Sequence, residues 1–186
     1  GAIPEEKRDY YLGVIAEEVR RLSRLVNTLL EISRLESGKG MKTLDFNVTE
    51  TARQILISLM GKIDGKGLEV EFEGGDDDVF VLADPDTIHQ VLYNLLDNAI
   101  KFTQEKGTIS ISITSKGKKA LIKVRNTGEG IPEEELSHIF ERFYKSDRSR
   151  SLDKQGVGLG LYIVKNVISL HGGEIAVRSV ENEYCE

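Results

Sequence analysis

The sequence predicts an α+β protein, a two-layer α/β sandwich preceded by a long helix of the coiled-coil type. Residues 4–36 carry apolar side chains at alternating spacings of three and four, which is typical of helices that pair with other helices. After residue 40, short segments with period-two hydrophobicity alternate with amphipathic helical segments. This alternation favours a sheet covered by helices.

The composition indicates a soluble globular chain with a packed core. Of the 186 residues, 39% are hydrophobic and 30% are charged, which is far from the composition of disordered chains. The net charge of −6 argues against a nucleic-acid partner, which would require a positive surface. No apolar run approaches the roughly 18–20 residues that span a bilayer. The single cysteine, Cys185, excludes an internal disulfide and suggests the cytoplasm.

The first predicted element is a helix from Pro4 to Glu36. At 1.5 Å per residue it would be roughly 50 Å long, which exceeds the width of a domain of this size. Its apolar seam consists of Leu12, Ile15, Val19, Leu22, Val26 and Leu29. We expect this helix to project and pair with another helix; a surface helix that lies on its own domain is the alternative. The glycine-containing break at residues 37–40 then separates a helical unit, residues 1–38, from a second domain, residues 39–186.

The second domain is predicted to open with a strand, Leu44–Val48, and an amphipathic helix from Thr49 to about Ile63. Two more strands are expected at Leu68–Glu73 and Val79–Leu82. Asp84 and Pro85 predict the start of a helix that ends near Phe102. Asp is a good N-cap, and Pro fits the first helical position because its missing N–H has no partner there.

The C-terminal half is predicted to contain a β-hairpin followed by helices. Its strands alternate apolar and polar residues, with apolar positions at Ile109, Ile111 and Ile113 and at Ala120, Ile122 and Val124. After a glycine-rich turn we expect a short helix from Pro132 and a helix from about Gly158. A strand from Glu174 to Val180 completes the sandwich.

Asn94, Asn98 and Lys101 recur at positions i, i+4 and i+7 of the helix that begins at Pro85. Asparagine is a poor residue for a helix interior, so two of them beside an apolar face suggest a function for the amides; a solvated stripe is the alternative. An amide oxygen suits Mg²⁺, which is often shared with substrate phosphates. A lysine adds positive charge for phosphate.

Two glycine-containing segments follow this helix. Residues 126–132 contain Gly128 and Gly130, which either permit close approach of the backbone to a planar ligand or form an ordinary turn. Residues 156–161 place three alternating glycines before a predicted helix, whose free N–H groups favour phosphate. The G-x-G-x-G spacing is not that of the dinucleotide-binding fingerprint.

An aromatic run, residues 139–145, and a basic loop, residues 146–155, lie between the two glycine segments. The aromatic side chains are most simply interpreted as core. The loop is either a solvated linker or a lid over phosphates. We predict that residues 142–155 form such a lid, because they are charged, poor in apolar residues and close to the second glycine segment.

In this order, the four segments strongly resemble the motifs of the catalytic and ATP-binding core of sensor histidine kinases. Residues 94–102 resemble the N box, 126–132 the first glycine box, 140–144 the F box and 156–161 the second glycine box. Residues 19–38 resemble the end of the second helix of the dimerisation and histidine phosphotransfer domain. The resemblance implies the two-layer fold shared by histidine kinases and gyrase-type ATPases.

The resemblance also implies a site for ATP and Mg²⁺. Its catalytic residues would be Asn94, Asn98, Lys101 and Lys145, with Asn98 as the Mg²⁺ ligand. The implied ATP-binding residues are Asn94, Asn98, Lys101, Phe102, Asn126, Gly128, Gly130, Ile131, Phe143, Tyr144, Lys145, Gly156, Val157, Gly158, Leu159, Gly160 and Leu161. Asn126 stands where the family commonly has an aspartate that accepts a hydrogen bond from adenine. Its Oδ1 can still accept, without the assistance of a charge.

The resemblance favours phosphoryl transfer over hydrolysis. ATPases of the same fold place a carboxylate one turn before the metal-binding asparagine, but this chain has Asn94, whose amide cannot act as a general base. The family's phosphoacceptor histidine is absent, because His89, His138 and His171 lack its acidic and Thr-Pro context. We interpret these three as structural or surface residues and expect the acceptor on a separate histidine-bearing helical hairpin.

The implied partners are that hairpin, a cognate response regulator and, in the parent protein, a second copy in a homodimer. We expect a cytoplasmic domain of a parent protein anchored in the plasma membrane. Two alternatives stay open. One is a nucleotide-binding or degenerate kinase-like module that acts as a scaffold. The other is a serine kinase of the same superfamily that antagonises a sigma factor, against which the long helix argues.

Overall fold

The computed structural model describes residues 4–36, 41–74, 78–117, 119–146 and 156–186. The chain divides into two compact units, Gly1–Lys39 and Gly40–Glu186. The predicted lid falls only partly within the described ranges, since its residues 147–155 lie outside them.

The first unit contains the long helix α1 (Glu5–Glu36), as the heptad pattern predicts. Its seam is exposed to solvent: Ile15, Val19, Leu22 and Val26 each expose between 52% and 57% of their surface. A helix of about 48 Å that exposes an apolar seam is typical of one that packs against a partner helix. None of the described helices is both long and apolar enough to cross a membrane.

The second unit contains four helices within the described residues. They are α2 (Val48–Lys66), α3 (Pro85–Phe102), α4 (Glu133–Leu136) and α5 (Gly160–Leu170). Asn47 caps α2 by accepting a hydrogen bond from the Glu50 backbone N–H at 2.9 Å, and Gly67 ends it in the left-handed conformation. Helix α3 is central, because it packs against α2, α5 and the sheet.

The strands of the second unit form two sheets. They are β1 (Leu44–Asn47), β2 (Glu69–Gly74), β3 (Phe80–Ala83), β4 (Thr108–Lys116), β5 (Lys119–Thr127), β6 (Ser179–Val180) and β7 (Tyr184–Cys185). The larger sheet has the order β2-β4-β5-β7-β6, with β2 and β4 parallel and the other neighbours antiparallel. Strands β1 and β3 form a separate antiparallel pair.

The core lies between the helices and the larger sheet. Ile109, Ile111 and Ile113 of β4 are buried, as their alternation predicts. The buried apolar residues on the helices include Ile55, Leu59 and Ile63 of α2, Val91, Leu92 and Leu96 of α3, and Ile163, Val164 and Val167 of α5. The α+β two-layer sandwich is therefore confirmed.

Several predicted element boundaries differ from the structure. Val48, predicted to end the first strand, is the first residue of α2, and α2 continues to Lys66. Helix α5 begins at Gly160 rather than Gly158, because Gly158 has a φ of 77° and cannot belong to a right-handed helix. The predicted strand over residues 174–180 shortens to Ser179–Val180. Its pairing with the antiparallel strand is confined to Ser179 opposite Cys185 and Val180 opposite Tyr184, with backbone hydrogen bonds between Arg178 and Glu186 beside them.

Candidate nucleotide-binding site

Helix α3 is anchored at its N-terminus by the buried residue Asp84. One carboxylate oxygen accepts hydrogen bonds from the backbone N–H groups of Asp86 and Thr87, both at 3.1 Å. The other accepts a hydrogen bond from the backbone N–H of Lys42 at 2.7 Å. Burial raises the pKa of Asp84, but these backbone hydrogen bonds outweigh it and hold the pKa below its ordinary value. The cap fixes where α3 begins, and thereby which residues face α5.

His171 joins the end of α5 to the start of α3. Its Nε2 accepts a hydrogen bond from the Asp84 backbone N–H at 3.0 Å, and its Nδ1 donates to the Val167 carbonyl at 2.8 Å. This pair of bonds requires the neutral ring with its proton on Nδ1. His89 is exposed, and His138 is exposed beside Glu141. The histidines thus occupy the structural and surface positions that the sequence predicts.

The polar residues of α3 are half-buried along one edge of the helix. Asn94 Nδ2 is buried and has no hydrogen-bond partner among the described residues. Asn94 Oδ1 lies 3.6 Å from the position that a Cβ atom would take on Gly160, the first residue of α5. Since buried polar atoms are nearly always hydrogen-bonded, the unpaired amide marks a place where a ligand or water can bind.

Lys101 has an unpredicted partner in Asp97. The Lys101 ammonium binds Asp97 Oδ2 at 2.7 Å, and the Lys62 ammonium of α2 binds Asp97 Oδ1 at 2.6 Å. The side chain of Asp97 is only 12% exposed. Burial raises the pKa of Asp97, but hydrogen bonds from Lys101 and Lys62 outweigh it and lower the pKa. The predicted phosphate-binding lysine is therefore held one turn along α3 from a buried carboxylate.

The first glycine box meets the end of α3 and the β6–β7 hairpin. A Cβ atom on Gly128 would lie 2.8 Å from the Phe102 carbonyl oxygen, and one on Gly130 would collide with the Val180 carbonyl. The Ile131 backbone N–H donates to Ser179 Oγ at 2.7 Å. These contacts leave no room for side chains at Gly128 and Gly130, so both glycines are required by close packing.

Asn126 is buried at the end of β5. Its Nδ2 donates to the Thr127 carbonyl at 3.2 Å. This orientation leaves Oδ1 as the part of the amide that can accept a hydrogen bond from a ligand. The geometry is compatible with the predicted acceptor role toward an amino group.

The aromatic run and the second glycine segment pack against each other. Phe143 has a φ of 63° and donates its N–H to the Gly158 carbonyl at 3.0 Å. Phe143 is 52% exposed, so its interpretation as core is wrong; the left-handed backbone turns its side chain outward. The Lys145 ammonium donates to the Gly156 carbonyl at 3.1 Å. A Cβ atom on Gly158 would lie 2.6 Å from the Tyr144 carbonyl oxygen.

The start of α5 has the geometry expected of a phosphate site. Among the described residues its N-cap, Leu159, makes no side-chain capping hydrogen bond, and the first N–H groups of a helix have no intrahelical partner. Leu159 is 3% exposed and anchors the turn in the core, while Val157 and Leu161 are half-buried. Free N–H groups and the helix dipole together favour phosphate at this position.

The structure therefore brings the predicted segments together in pairs. The N box meets the second glycine box through Asn94 and Gly160, and it meets the first glycine box through Phe102 and Gly128. Sequence reasoning missed Asp97 and Lys62. The four-residue spacing of Asp97 and Lys101 could have indicated the first, whereas Lys62 lies 35 residues from Asp97 and gives no local signal.

Comparison with known families decides what these motifs mean. A family model described as histidine kinase-, DNA gyrase B-, and HSP90-like ATPase matches residues 83–186. The match covers more than half of the chain and includes all four motif segments. The chain belongs to this ATPase family. This match confirms the resemblance at the level of that family.

Named relatives narrow the assignment within the ATPase family. The circadian input-output histidine kinase CikA of Synechococcus elongatus is 34% identical over 183 residues, which cover 96% of this chain and 24% of that protein. The sensor protein SrrB of Staphylococcus aureus is 36% identical over 177 residues, which cover 95% of this chain and 30% of that protein. The chain thus spans a quarter to a third of the length of these relatives, and it contains a histidine kinase ATPase catalytic domain.

Solved structures of histidine kinases share the fold of this domain. The catalytic domain of ThkA has a TM-score of 0.69 and 35% identity, and the match covers 78% of this chain and 92% of that one. ShkA in complex with AMPPNP has a TM-score of 0.80 and 25% identity over all of this chain and 38% of that one. ThkA in complex with the response regulator TrrA has a TM-score of 0.74 and 31% identity over all of this chain and 51% of that one.

Proposed function

We propose that this chain binds Mg·ATP at the junction of α3, the first glycine box and the start of α5, and transfers the γ-phosphoryl group to a histidine. The observation that carries the proposal is the unpaired Asn94 amide beside Gly160. It leaves a buried hydrogen-bond donor without a partner in the described part of the chain, on a side chain that lies against Gly160, the first residue of α5. The complex of the similar kinase ShkA with the ATP analogue AMPPNP supports nucleotide binding by this chain.

The donor set fits a magnesium ion shared with phosphates. The described residues contain no group of three or more His, Cys, Asp or Glu side chains that could hold a metal ion by themselves. Mg²⁺ bound to nucleotide needs few protein ligands, and the half-buried Asn98 offers an amide oxygen one turn from Asn94. When bound, the ion neutralises charge that develops on the phosphates. Asn98 would hold it.

The remaining residues bind and orient the nucleotide. Asn126 Oδ1 accepts a hydrogen bond from the adenine amino group, and Gly128 lets the first glycine box pack against the Phe102 carbonyl beside Asn126. The first N–H groups of α5 bind phosphate oxygens, with Lys101 and Lys145 supplying positive charge. Phe102, Phe143 and Tyr144 contribute aromatic surface around the base.

The chemistry is an in-line transfer to an imidazole nitrogen. The bond from the γ-phosphorus to the bridging oxygen breaks, ADP leaves with the electron pair, and a phosphorus–nitrogen bond forms. Such transfer depends mainly on positioning and charge neutralisation. Asn94 cannot deprotonate a water molecule, so water in the site is not activated as a competing nucleophile.

The first unit supplies the connection to the acceptor. In this proposal residues 1–38 are the second helix of a hairpin whose other helix carries the histidine. The exposed seam of α1 supports it, because burying roughly six apolar side chains would stabilise the paired helices by several kcal/mol. We further propose that the parent protein is a membrane-anchored homodimer that passes the phosphoryl group to an aspartate of a response regulator. The complex of the similar kinase ThkA with the regulator TrrA supports that partner class.

The Asn98→Ala variant tests the metal role. With Mg²⁺ present, we expect ATP affinity to fall at least about tenfold, because the ion loses its protein ligand. In a chelator the loss should be less than about twofold. Titration calorimetry of both proteins under both conditions measures these affinities.

The control for this experiment is Asn166→Ala on α5. The Asn166 amide donates to its own helix at the Tyr162 carbonyl, 2.9 Å away, so removing it should not change the Mg²⁺ dependence. Equal losses with and without Mg²⁺ for Asn98→Ala would remove the metal role. A wild-type chain that binds no ATP would instead favour the scaffold alternative.

A further inference from the structure

Asp97 is a buried carboxylate with two cationic partners on different helices. Its Oδ1 accepts from Lys62 of α2 and its Oδ2 from Lys101 of α3, so each oxygen has its own ammonium group. The side chains of Lys62 and Lys101 are 53% and 36% exposed, whereas that of Asp97 is 12% exposed. The anion is therefore held in place while both cations retain access to solvent.

Two cations for one buried anion have a specific consequence. A buried carboxylate that loses its only counter-ion is strongly destabilised. If Lys101 alone paired with Asp97, movement of Lys101 to a phosphate would leave that charge without a partner. Because Lys62 binds the other oxygen, Lys101 can leave and Asp97 stays paired.

We propose that Lys62 is a positioning residue for ATP binding. Asp97 binds the Lys101 ammonium in the nucleotide-free domain, and Lys62 keeps Asp97 paired when Lys101 moves to the phosphates. This inference rests on the proposed role of Lys101 as a phosphate contact. It adds a residue of α2, outside the four motif segments, to the determinants of triphosphate affinity.

Lys62 could instead have a purely structural role, which makes a different prediction. Lys62 could serve only to tie α2 to α3, as its neighbour Lys66 does. The Lys66 ammonium donates to the carbonyls of Ile100, Lys101 and Thr103 at 2.8–3.0 Å, and so caps the C-terminus of α3. Lys66 is thus a matched control, because it joins the same two helices without contact to Asp97.

The test compares ATP with adenosine, which lacks phosphates. In Lys62→Met, we expect ATP affinity to fall about tenfold. Lys101 is then the only counter-ion of Asp97, so its movement to the phosphates would leave a buried carboxylate unpaired. Adenosine affinity should not change. Lys101→Met should show the same selective loss. Titration calorimetry on the 186-residue chain measures both ligands with each variant.

Three further variants distinguish a positioning role of Lys62 from a purely structural one. Adding Asp97→Asn to Lys62→Met should restore ATP affinity relative to Lys62→Met, because a neutral amide needs no counter-ion. Lys62→Arg keeps a cation and should also restore it. Lys66→Met should lower the thermal midpoint of unfolding without changing the ratio of ATP to adenosine affinity.

The possible outcomes separate the two proposals. An unchanged ATP to adenosine ratio in Lys62→Met, or no rescue by Asp97→Asn, overturns the positioning role. An unchanged ratio in Lys101→Met overturns its premise, that Lys101 contacts phosphate. A wild-type chain that binds neither ligand contradicts the proposed function itself.

Discussion

Gly158→Ala is expected to bind ATP at least about tenfold more weakly than the wild-type chain, because losing one hydrogen bond to a charged phosphate costs about 1.5–3 kcal/mol. Gly158 has a φ of 77°, which an L-residue with a side chain rarely adopts. Its added Cβ atom would lie 2.6 Å from the Tyr144 carbonyl oxygen and 2.9 Å from the Phe143 carbonyl carbon. Both neighbours are backbone atoms, so the loop before α5 must move. Titration calorimetry with Mg·ATP measures the loss.

Gly172→Ala is the control for backbone strain alone. Gly172 follows α5 as Gly158 precedes it, and its φ is 68°, but a Cβ atom there would have no atom within 4 Å. We expect a loss of about 1 kcal/mol in the free energy of unfolding and unchanged ATP affinity. Wild-type ATP affinity in Gly158→Ala would show that the close packing of this loop is not needed for binding.

Asp84→Ala is expected to have the largest effect on stability. It removes a carboxylate that accepts three backbone hydrogen bonds at the start of α3. Loss of the cap and of buried acceptors together should reduce the free energy of unfolding by about 3 kcal/mol. For a domain of this size, that lowers the thermal midpoint by roughly 6–12 °C. Circular dichroism during heating measures the shift.

Asp84→Asn keeps the cap but removes the charge and one acceptor. Its amide oxygen can still accept from the Asp86 and Thr87 N–H groups, whereas its NH2 group would face the Lys42 N–H, so we expect a loss of about 2 kcal/mol at neutral pH. Because the pKa of Asp84 is lowered in the folded state, the charge stabilises the fold above the unfolded pKa of about 3.9. This contribution disappears as the pH falls through the lower, folded pKa. The difference between wild type and Asp84→Asn should therefore shrink below about pH 4, and a difference that is constant with pH would contradict the charge effect.

Most elements of the fold follow from local patterns. The alternation of Ile109, Ile111 and Ile113 predicts a strand with one buried face, and all three are buried. Asp84 and Pro85 predict the start of α3 because capping is a local interaction. These features depend on residues within one or two turns of each other, which a single sequence contains.

The errors arise where distant residues decide the conformation. The strand predicted from Glu174 shortens because pairing depends on where its partner lies in the chain. Phe143 has a left-handed backbone, and its N–H donates to the Gly158 carbonyl, 15 residues along the chain. The aromatic run around Phe143 does not indicate this distant hydrogen bond or the exposed side chain that goes with it.

The candidate site shows the same division between local and distant effects. The spacing of Asn94, Asn98 and Lys101 correctly places them on one edge of α3. The contact of Asn94 with Gly160 and the ion pair of Lys62 with Asp97 depend on how α3 packs against α5 and α2. The assignments of adenine, phosphate and Mg²⁺ contacts to particular residues stay predictions.

Transfer of labelled phosphate tests the central claim most directly. The chain is incubated with Mg²⁺ and γ-labelled ATP, alone and with the histidine-bearing hairpin of the parent sensor, and the label is mapped by mass and by acid lability. We predict acid-labile label on the hairpin histidine and none on the chain alone. Acid-stable label on Ser or Thr, label on His89, His138 or His171 without the hairpin, or bound ATP with no transfer to the hairpin would contradict it.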